Sequence, residues 1–294
     1  MKKITLIIST ILSLSALVLL ERHNFQDRIS STTEKNIPIQ SIRSVQSTAS
    51  KLPPSPPETP AGTRAQIIAE FQKTVPKIWS ENAPGVETRL NTRDKVIALT
   101  FDACGGTGSD GYDAKLINFL TVQKIPATLF ISGKWLATNL DNFKKLVANP
   151  LFEIENHGTA HIPCSADGHA AYGIAGTKNI GEMVDEIELN AEKLQSLTGR
   201  KPLFYRSSTA FTDEFCPQVA RKLGYTVVSF SVLGDAGATY SAAQIEKTLL
   251  AAPPGSIVIL HMNHPEKDTA EGVMQAVPKL EKEGFKFVKL EDYK

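Results

Sequence analysis

Several residues able to do chemistry stand where apolar, strand-like runs end. Asp102 closes the run Val96-Ile97-Ala98-Leu99-Thr100-Phe101 and is followed by Ala103, Cys104, Gly105 and Gly106. His157 and His161 come just after Phe152-Glu153-Ile154-Glu155. Histidines at this i, i+4 spacing can share one face of a helical turn and one metal ion. Arg206 ends Leu203-Phe204-Tyr205, Asp235 follows the loop after the run at 226–230, and His261 ends Ser256-Ile257-Val258-Ile259-Leu260. His264 comes just before Pro265 and reads as a loop residue. A carboxylate can remove a proton from water, an imidazole pair can hold a metal, and a further imidazole can give a proton to a leaving group. Each residue also has an ordinary reading: an Asp in a strand-terminal turn, loop histidines bonded to backbone, an Arg206–Asp235 ion pair. Their recurrence at successive strand ends favours chemistry, because α/β barrels place their active sites there.

The elements that must position these groups follow from apolar periodicity. It predicts helices over 65–79, 114–122, 135–147, 180–197, 214–223, 242–251 and 272–282. It predicts strands over 96–101, 127–131, 152–155, 203–205, 226–230, 256–260 and 285–290. Pro76 is expected to kink or end the first helix. Strands alternating with helices imply an α/β fold with a parallel sheet, and about seven β/α units imply a closed or nearly closed barrel. A doubly wound open sheet is the alternative. No G-x-G-x-x-G follows any of these strands, which argues against a dinucleotide site.

Thr100-Phe101-Asp102, Asn156-His157 with His161, Tyr205-Arg206, Asp235 and Ile259-Leu260-His261 together resemble, in order and spacing, the polysaccharide deacetylases of the chitooligosaccharide-deacetylase homology group. The resemblance extends over residues 86–294. It implies a distorted (β/α) barrel, a divalent metal that is usually zinc, and removal of acetyl groups from N-acetylated sugars or from esters. It further implies a polysaccharide substrate such as peptidoglycan or a chitin-like glycan. Under it Asp102 is the catalytic base, His157 and His161 are metal ligands, Arg206 holds the base, and Asp235 tethers His261, the general acid. Backbone N–H groups near Thr209 are placed to hold an oxyanion.

The chain departs from the family pattern at several positions. A second Asp normally follows the base as the third metal ligand; here the position is Ala103, with Cys104 next to it. Thiolate is a good zinc ligand, so Cys104, Asp102 itself or water are the candidates to complete the site. Ser207 and Ser208 replace two prolines, Ala236 replaces a Trp, and Gly158 stands where Ser or Thr is usual. Three function classes remain: a metal-dependent deacetylase, a non-catalytic carbohydrate-binding relative, and a hydrolase using Cys104 as nucleophile with a His as base.

The chain has 294 residues and a formal net charge of +1, which gives no case for a nucleic-acid partner. Residues 1–21 carry two lysines and then a long apolar stretch, which reads as a signal peptide or a membrane anchor. Residues 22–62 are rich in Ser, Thr and Pro and read as a disordered linker, leaving 63–294 as the catalytic domain. Either form of the N-terminal segment places that domain outside the cytoplasm, in the periplasm or cell envelope. The three cysteines form no C-x-x-C pair. Cys164 and Cys216 fall on neighbouring rim loops, so either they are bridged or all three thiols are free.

Overall fold

The computed structural model describes residues 61–294; the apolar N-terminal segment and nearly all of the expected linker lie outside the described residues. In chain order the elements are α1 (Ala61–Phe71), β1 (Val96–Ala103), α2 (Ala114–Val122), β2 (Ala127–Ile131), α3 (Gly133–Thr138), α4 (Leu140–Val147) and β3 (Phe152–Asn156). A short hairpin comes next, β4 (Ala170–Ala171) and β5 (Ile174–Ala175), then α5 (Ile180–Thr198), β6 (Phe204–Tyr205), α6 (Cys216–Lys222), β7 (Thr226–Val227) and β8 (Val232–Leu233). The chain ends with α7 (Ala242–Leu250), β9 (Ser256–His261), α8 (Thr269–Lys282) and β10 (Lys286–Val288). Among the described residues no helix is long and apolar enough to cross a membrane.

The main sheet runs β7-β6-β3-β2-β1-β9-β8 with every pairing parallel, and it curls into an incomplete barrel. β1 pairs with β9 along Ile97–Asp102; its other edge is shared by β10 at Val96–Ala98 and β2 at Thr100–Ala103. Every residue of β1 is buried, as expected for a parallel strand covered on both faces. Alternation sorts its side chains. Ile97, Leu99, Phe101 and Ala103 join the apolar layer under α2 and α8. Val96 and Ala98 face the barrel interior with Phe130, Phe204, Val228 and Ile257. The same side of the strand carries Thr100 and Asp102, which both bond Arg206.

β7 and β8, the two ends of the strand order, are consecutive in sequence, so the chain itself bridges the open side through residues 228–231. No helix intervenes there, and the strand expected over 226–230 is shortened to Thr226–Val227. The first helix ends at Phe71 rather than near Trp79; beyond it Lys77 and Ile78 donate backbone N–H groups to the Glu214 carboxylate, which holds the chain extended past Pro76. The helix expected over 135–147 breaks at Asn139, whose side-chain amide donates to the Trp135 and Asp110 carbonyls. The β4–β5 hairpin and β8 are too short to show a period in sequence. Helices α7 and α8 pack closely because Gly272 is bare: a Cβ there would lie 2.4 Å from Ile245 Cβ.

Cys164 and Cys216 are joined in a disulfide with Cα atoms 5.9 Å apart, and Cys104 is free. The bridge ties the loop after β3 to the start of α6.

Candidate active site

Asp102 and His261 are paired in register at the ends of β1 and β9. The Asp102 side chain is buried and meets Arg206, whose Nη1 donates to Asp102 Oδ1 at 2.7 Å and to Thr100 Oγ1 at 2.8 Å. Nη2 of Arg206 donates to the Ser229 carbonyl at 2.9 Å, and its guanidinium carbon lies 4.1 Å from the centre of the Phe130 ring. Arg206 thus crosses the barrel interior, from the chain bridging the sheet ends to the candidate base. Burial pushes the Asp102 carboxyl up, but Arg206, His157 and His261 outweigh it and hold it below the usual carboxylate range. The alternative reading of Arg206 and Asp235 as an ion pair is not what forms: Arg206 pairs with Asp102 and Asp235 with His261.

His157 Nδ1 donates to the Arg206 carbonyl at 2.9 Å, which orients the ring with Nε2 turned to the cavity. That Nε2 lies 3.6 Å from Asp102 Oδ2 and 3.8 Å from Cys104 Sγ. The His157 and His161 ring centres are 4.9 Å apart. One donor atom each from Cys104, His157 and His161 lies within 4.8 Å of the others, a donor set suited to a divalent metal such as zinc. Burial raises the Cys104 thiol, but His161, His157 and His261 outweigh it and hold the thiol well below its ordinary value. Ala103 is fully buried in the apolar layer under the helices and turns away from this cluster. The side chain that faces the histidines is therefore that of residue 104.

His161 adopts a left-handed backbone with φ 53°. Its loop is held from below by Glu186 of α5, whose carboxylate accepts from Ala160 N at 2.8 Å and Ile162 N at 3.2 Å. Burial raises the Glu186 carboxyl to about 7 against the pull of these bonds and of His157. Gly158 leaves room for it: a Cβ at that position would lie 2.3 Å from Glu186 Oε1, which explains the loss of the usual Ser or Thr. Sequence reasoning missed Glu186. The signal was a carboxylate among Met183, Ile187 and Asn190 on the buried stripe of a long helix. Ser208, one of the two serines replacing prolines, places its hydroxyl 3.2 Å from His161 Nδ1.

Asp235 is fully buried. Its Oδ1 accepts from His261 Nδ1 at 2.8 Å, and its Oδ2 accepts from His261 N at 2.7 Å and Thr269 Oγ1 at 2.9 Å. Burial opposes the charge on His261, but Asp235 outweighs it and holds the imidazole well above its ordinary value, with Cys104 adding to the effect.

These groups floor a cavity of about 420 Å³ whose wall includes Glu81, Tyr172, Ile174, Thr209, Phe230, Leu233, Ala236 and Gly237. Thr209 lines it with φ 64°, and Tyr172, His161 and Ala236 also combine positive φ with cavity contact. Non-glycine residues in this region cost about 1–3 kcal/mol each and persist where the surroundings over-determine them, commonly at functional sites. His264 is apart from the cavity, bonded to Glu266 and Ser109.

Residues 89–228 match the family model for polysaccharide deacetylase. The peptidoglycan-N-acetylmuramic acid deacetylase of Bacillus subtilis is 26% identical over 210 residues, which cover 69% of this chain and 72% of that protein. Its solved structure, 23% identical, superposes with a TM-score of 0.60 over 78% of this chain and 87% of that one. A family 4 carbohydrate esterase pseudoenzyme from Bacillus anthracis, 19% identical, superposes with a TM-score of 0.60 over 72% of this chain and 69% of its own. The resemblance read from the motifs is thus confirmed, and the curled α/β barrel is the fold these proteins share.

Proposed function

We propose that this relative of the polysaccharide deacetylases is a metal-dependent hydrolase that removes acetyl groups from an N-acetylated polysaccharide. The observation that carries the reading is one cavity holding a Cys104–His157–His161 donor set between a charged carboxylate, Asp102, and a charged imidazole, His261. The donor chemistry fits a divalent metal, with zinc the best match to thiolate and two imidazoles. When bound there, such an ion supplies Lewis-acid polarisation of the acetyl carbonyl and acidifies a water.

The chain's own residues supply the rest. Asp102, kept ionised by Arg206, accepts a proton from the attacking water. His261, with Nδ1–H fixed on Asp235, presents Nε2 to the cavity and gives its proton to the departing amine. Thr209, on the cavity wall, offers a backbone N–H for the developing oxyanion. The 420 Å³ volume suits one sugar unit of a polymer such as peptidoglycan or a chitin-like glycan. The Cys164–Cys216 disulfide supports placing the domain outside the cytoplasm, with residues 1–21 as the exporting or anchoring segment.

The test is metal analysis of purified protein together with acetate release from chitin oligomers and peptidoglycan. Near-stoichiometric metal and metal-dependent acetate release support the reading. Tight glycan binding with no acetate released by the metal-loaded protein would instead support the non-catalytic alternative, as for the pseudoenzyme relative.

A further inference from the structure

The outer wall of the cavity is built by two segments that no motif of the reaction includes. One is the turn at Ser80–Asn82, which brings Glu81 to the cavity; the other is the β4–β5 hairpin, whose tip is Tyr172. Tyr172 is 78% exposed and sits in a left-handed conformation with φ 50°. Tyr172 and Gly173 are the two turn residues of this hairpin and both have positive φ, as a two-residue hairpin turn requires, so the turn itself points the Tyr172 side chain outward. The Tyr172 ring meets Phe211 edge-on at 5.9 Å between centres, and Phe211 in turn lies 5.9 Å from Trp79. Trp79 Nε1 donates to the Ala170 carbonyl at 3.2 Å, which fastens the hairpin. The Tyr172 hydroxyl reaches Glu81 Oε1 at 3.5 Å. A braced, exposed aromatic face beside a carboxylate acceptor is a platform for a sugar: the ring takes the apolar C–H face and the acid takes hydroxyl donors.

Charge sets a limit on which sugar. Among the described residues that line the cavity there is no Lys or Arg, and Arg206 is buried behind Asp102. His261 is already paired with Asp235. The outer wall offers a negative group and no cation to neutralise a second one.

We propose that Glu81 and Tyr172 form a sugar subsite that selects uncharged N-acetylated sugar units and rejects units carrying a free carboxylate. This rests on the reading of the site as a polysaccharide deacetylase. It sets the chain apart from its Bacillus subtilis relative, which is named for N-acetylmuramic acid, a sugar that bears a lactyl carboxylate.

The experiment uses two tetrasaccharides, the neutral N-acetylglucosamine tetramer and one alternating N-acetylglucosamine with N-acetylmuramic acid. Binding is measured by calorimetry on metal-free protein, and acetate release is measured separately on the metal-loaded protein. The wild type should bind the neutral tetramer at least ten-fold more tightly. Glu81→Gln should reduce that preference below three-fold by improving the acidic ligand, and 0.5 M salt should narrow it in the wild type. Tyr172→Ala should weaken both ligands by about ten-fold and raise KM more than it lowers kcat. Melting curves check that both variants fold, and the salt arm needs no variant. Equal or reversed preference in the wild type, an unchanged preference in Glu81→Gln, or no binding of either glycan overturns the proposal. If the preference holds but neither glycan is deacetylated, the deacetylase reading fails while the subsite stands. If both are deacetylated equally, the reverse is true.

Discussion

Glu186→Gln isolates a buried carboxylate that supports the His161 loop. Glu186 is 4% exposed, and burial raises its carboxyl from the ordinary value of about 4.3 to about 7. The folded protein therefore binds this proton more tightly than the unfolded chain does. The stability it contributes is complete at low pH and is lost as pH rises through about 7. The gap between the two values amounts to roughly 4 kcal/mol, at about 1.4 kcal/mol for each pH unit, of which about 3 kcal/mol is expressed between pH 4 and pH 8. Glutamine keeps the shape and cannot titrate. Its N–H group would oppose the N–H of Ala160 or Ile162, which adds an offset of about 1–3 kcal/mol at every pH. The pH-dependent part is independent of that offset. Urea unfolding of metal-free wild type and variant near pH 4 and pH 8 gives four free energies. Wild-type minus variant stability should fall by roughly 3 kcal/mol from the lower to the higher pH. The histidines titrate in both proteins and cancel to first order. Chelator is required, since bound metal would stabilise the fold by mass action. Stability curves that run parallel to within about 1 kcal/mol would refute the claim that burial of this carboxylate sets its protonation.

Four further outcomes are expected. Asp102→Asn and His261→Ala should stay folded and lose about 10²-fold or more of acetate release, the scale of general acid–base help; near-normal turnover in either would remove that residue from the reaction. Cys104→Ser, His157→Ala and His161→Ala should each lose metal in elemental analysis, because two remaining ligands make a poor site, whereas His264→Ala should keep it. Ala103→Asp should not rescue metal binding. It places a carboxylate in the apolar layer and should cost about 3 kcal/mol or more in chemical denaturation, so tighter metal binding would contradict the orientation described. The Cys164–Cys216 bridge closes a span of 52 residues, which by loop entropy corresponds to about 4 kcal/mol; Cys216→Ala should lower stability by that order, and no change would show that the bridge constrains little.

Much of this was legible in the sequence. Asp102, His157, His161, Arg206, Asp235 and His261 converge because they end parallel strands, and a strand's end is visible where an apolar run stops. The alternating pattern also showed the parallel sheet. Features that depend on distant partners did not show. The helix break at Asn139 is set by the Asp110 carbonyl, and the end of α1 before Pro76 goes with the Glu214 carboxylate. β8 has two residues, too few for any period, and β7 keeps only the first two residues of the strand expected over 226–230. Ala103 reads as the loss of a ligand only until alternation is applied: with Asp102 inward, residue 103 faces the helices and 104 returns to the interior. Glu81 and Tyr172 gave no signal, since an exposed acid and an exposed tyrosine are common on any surface.

The pairing of β1 also governs when the domain can form as the chain is made. β2 comes soon after β1 in sequence, but β9 and β10 belong to the last part of the chain; the Thr100 hydroxyl reaches the Val258 carbonyl across 158 residues. Until β9 and β10 have been synthesised, β1 keeps an unpaired edge and Asp102 lacks the neighbouring His261. Such an intermediate presents unsatisfied backbone and apolar surface, the kind of species that chaperones hold and that aggregates when they do not. Long-range parallel pairing is also slow to form. The rim that carries the candidate site is therefore completed only once the final strands arrive.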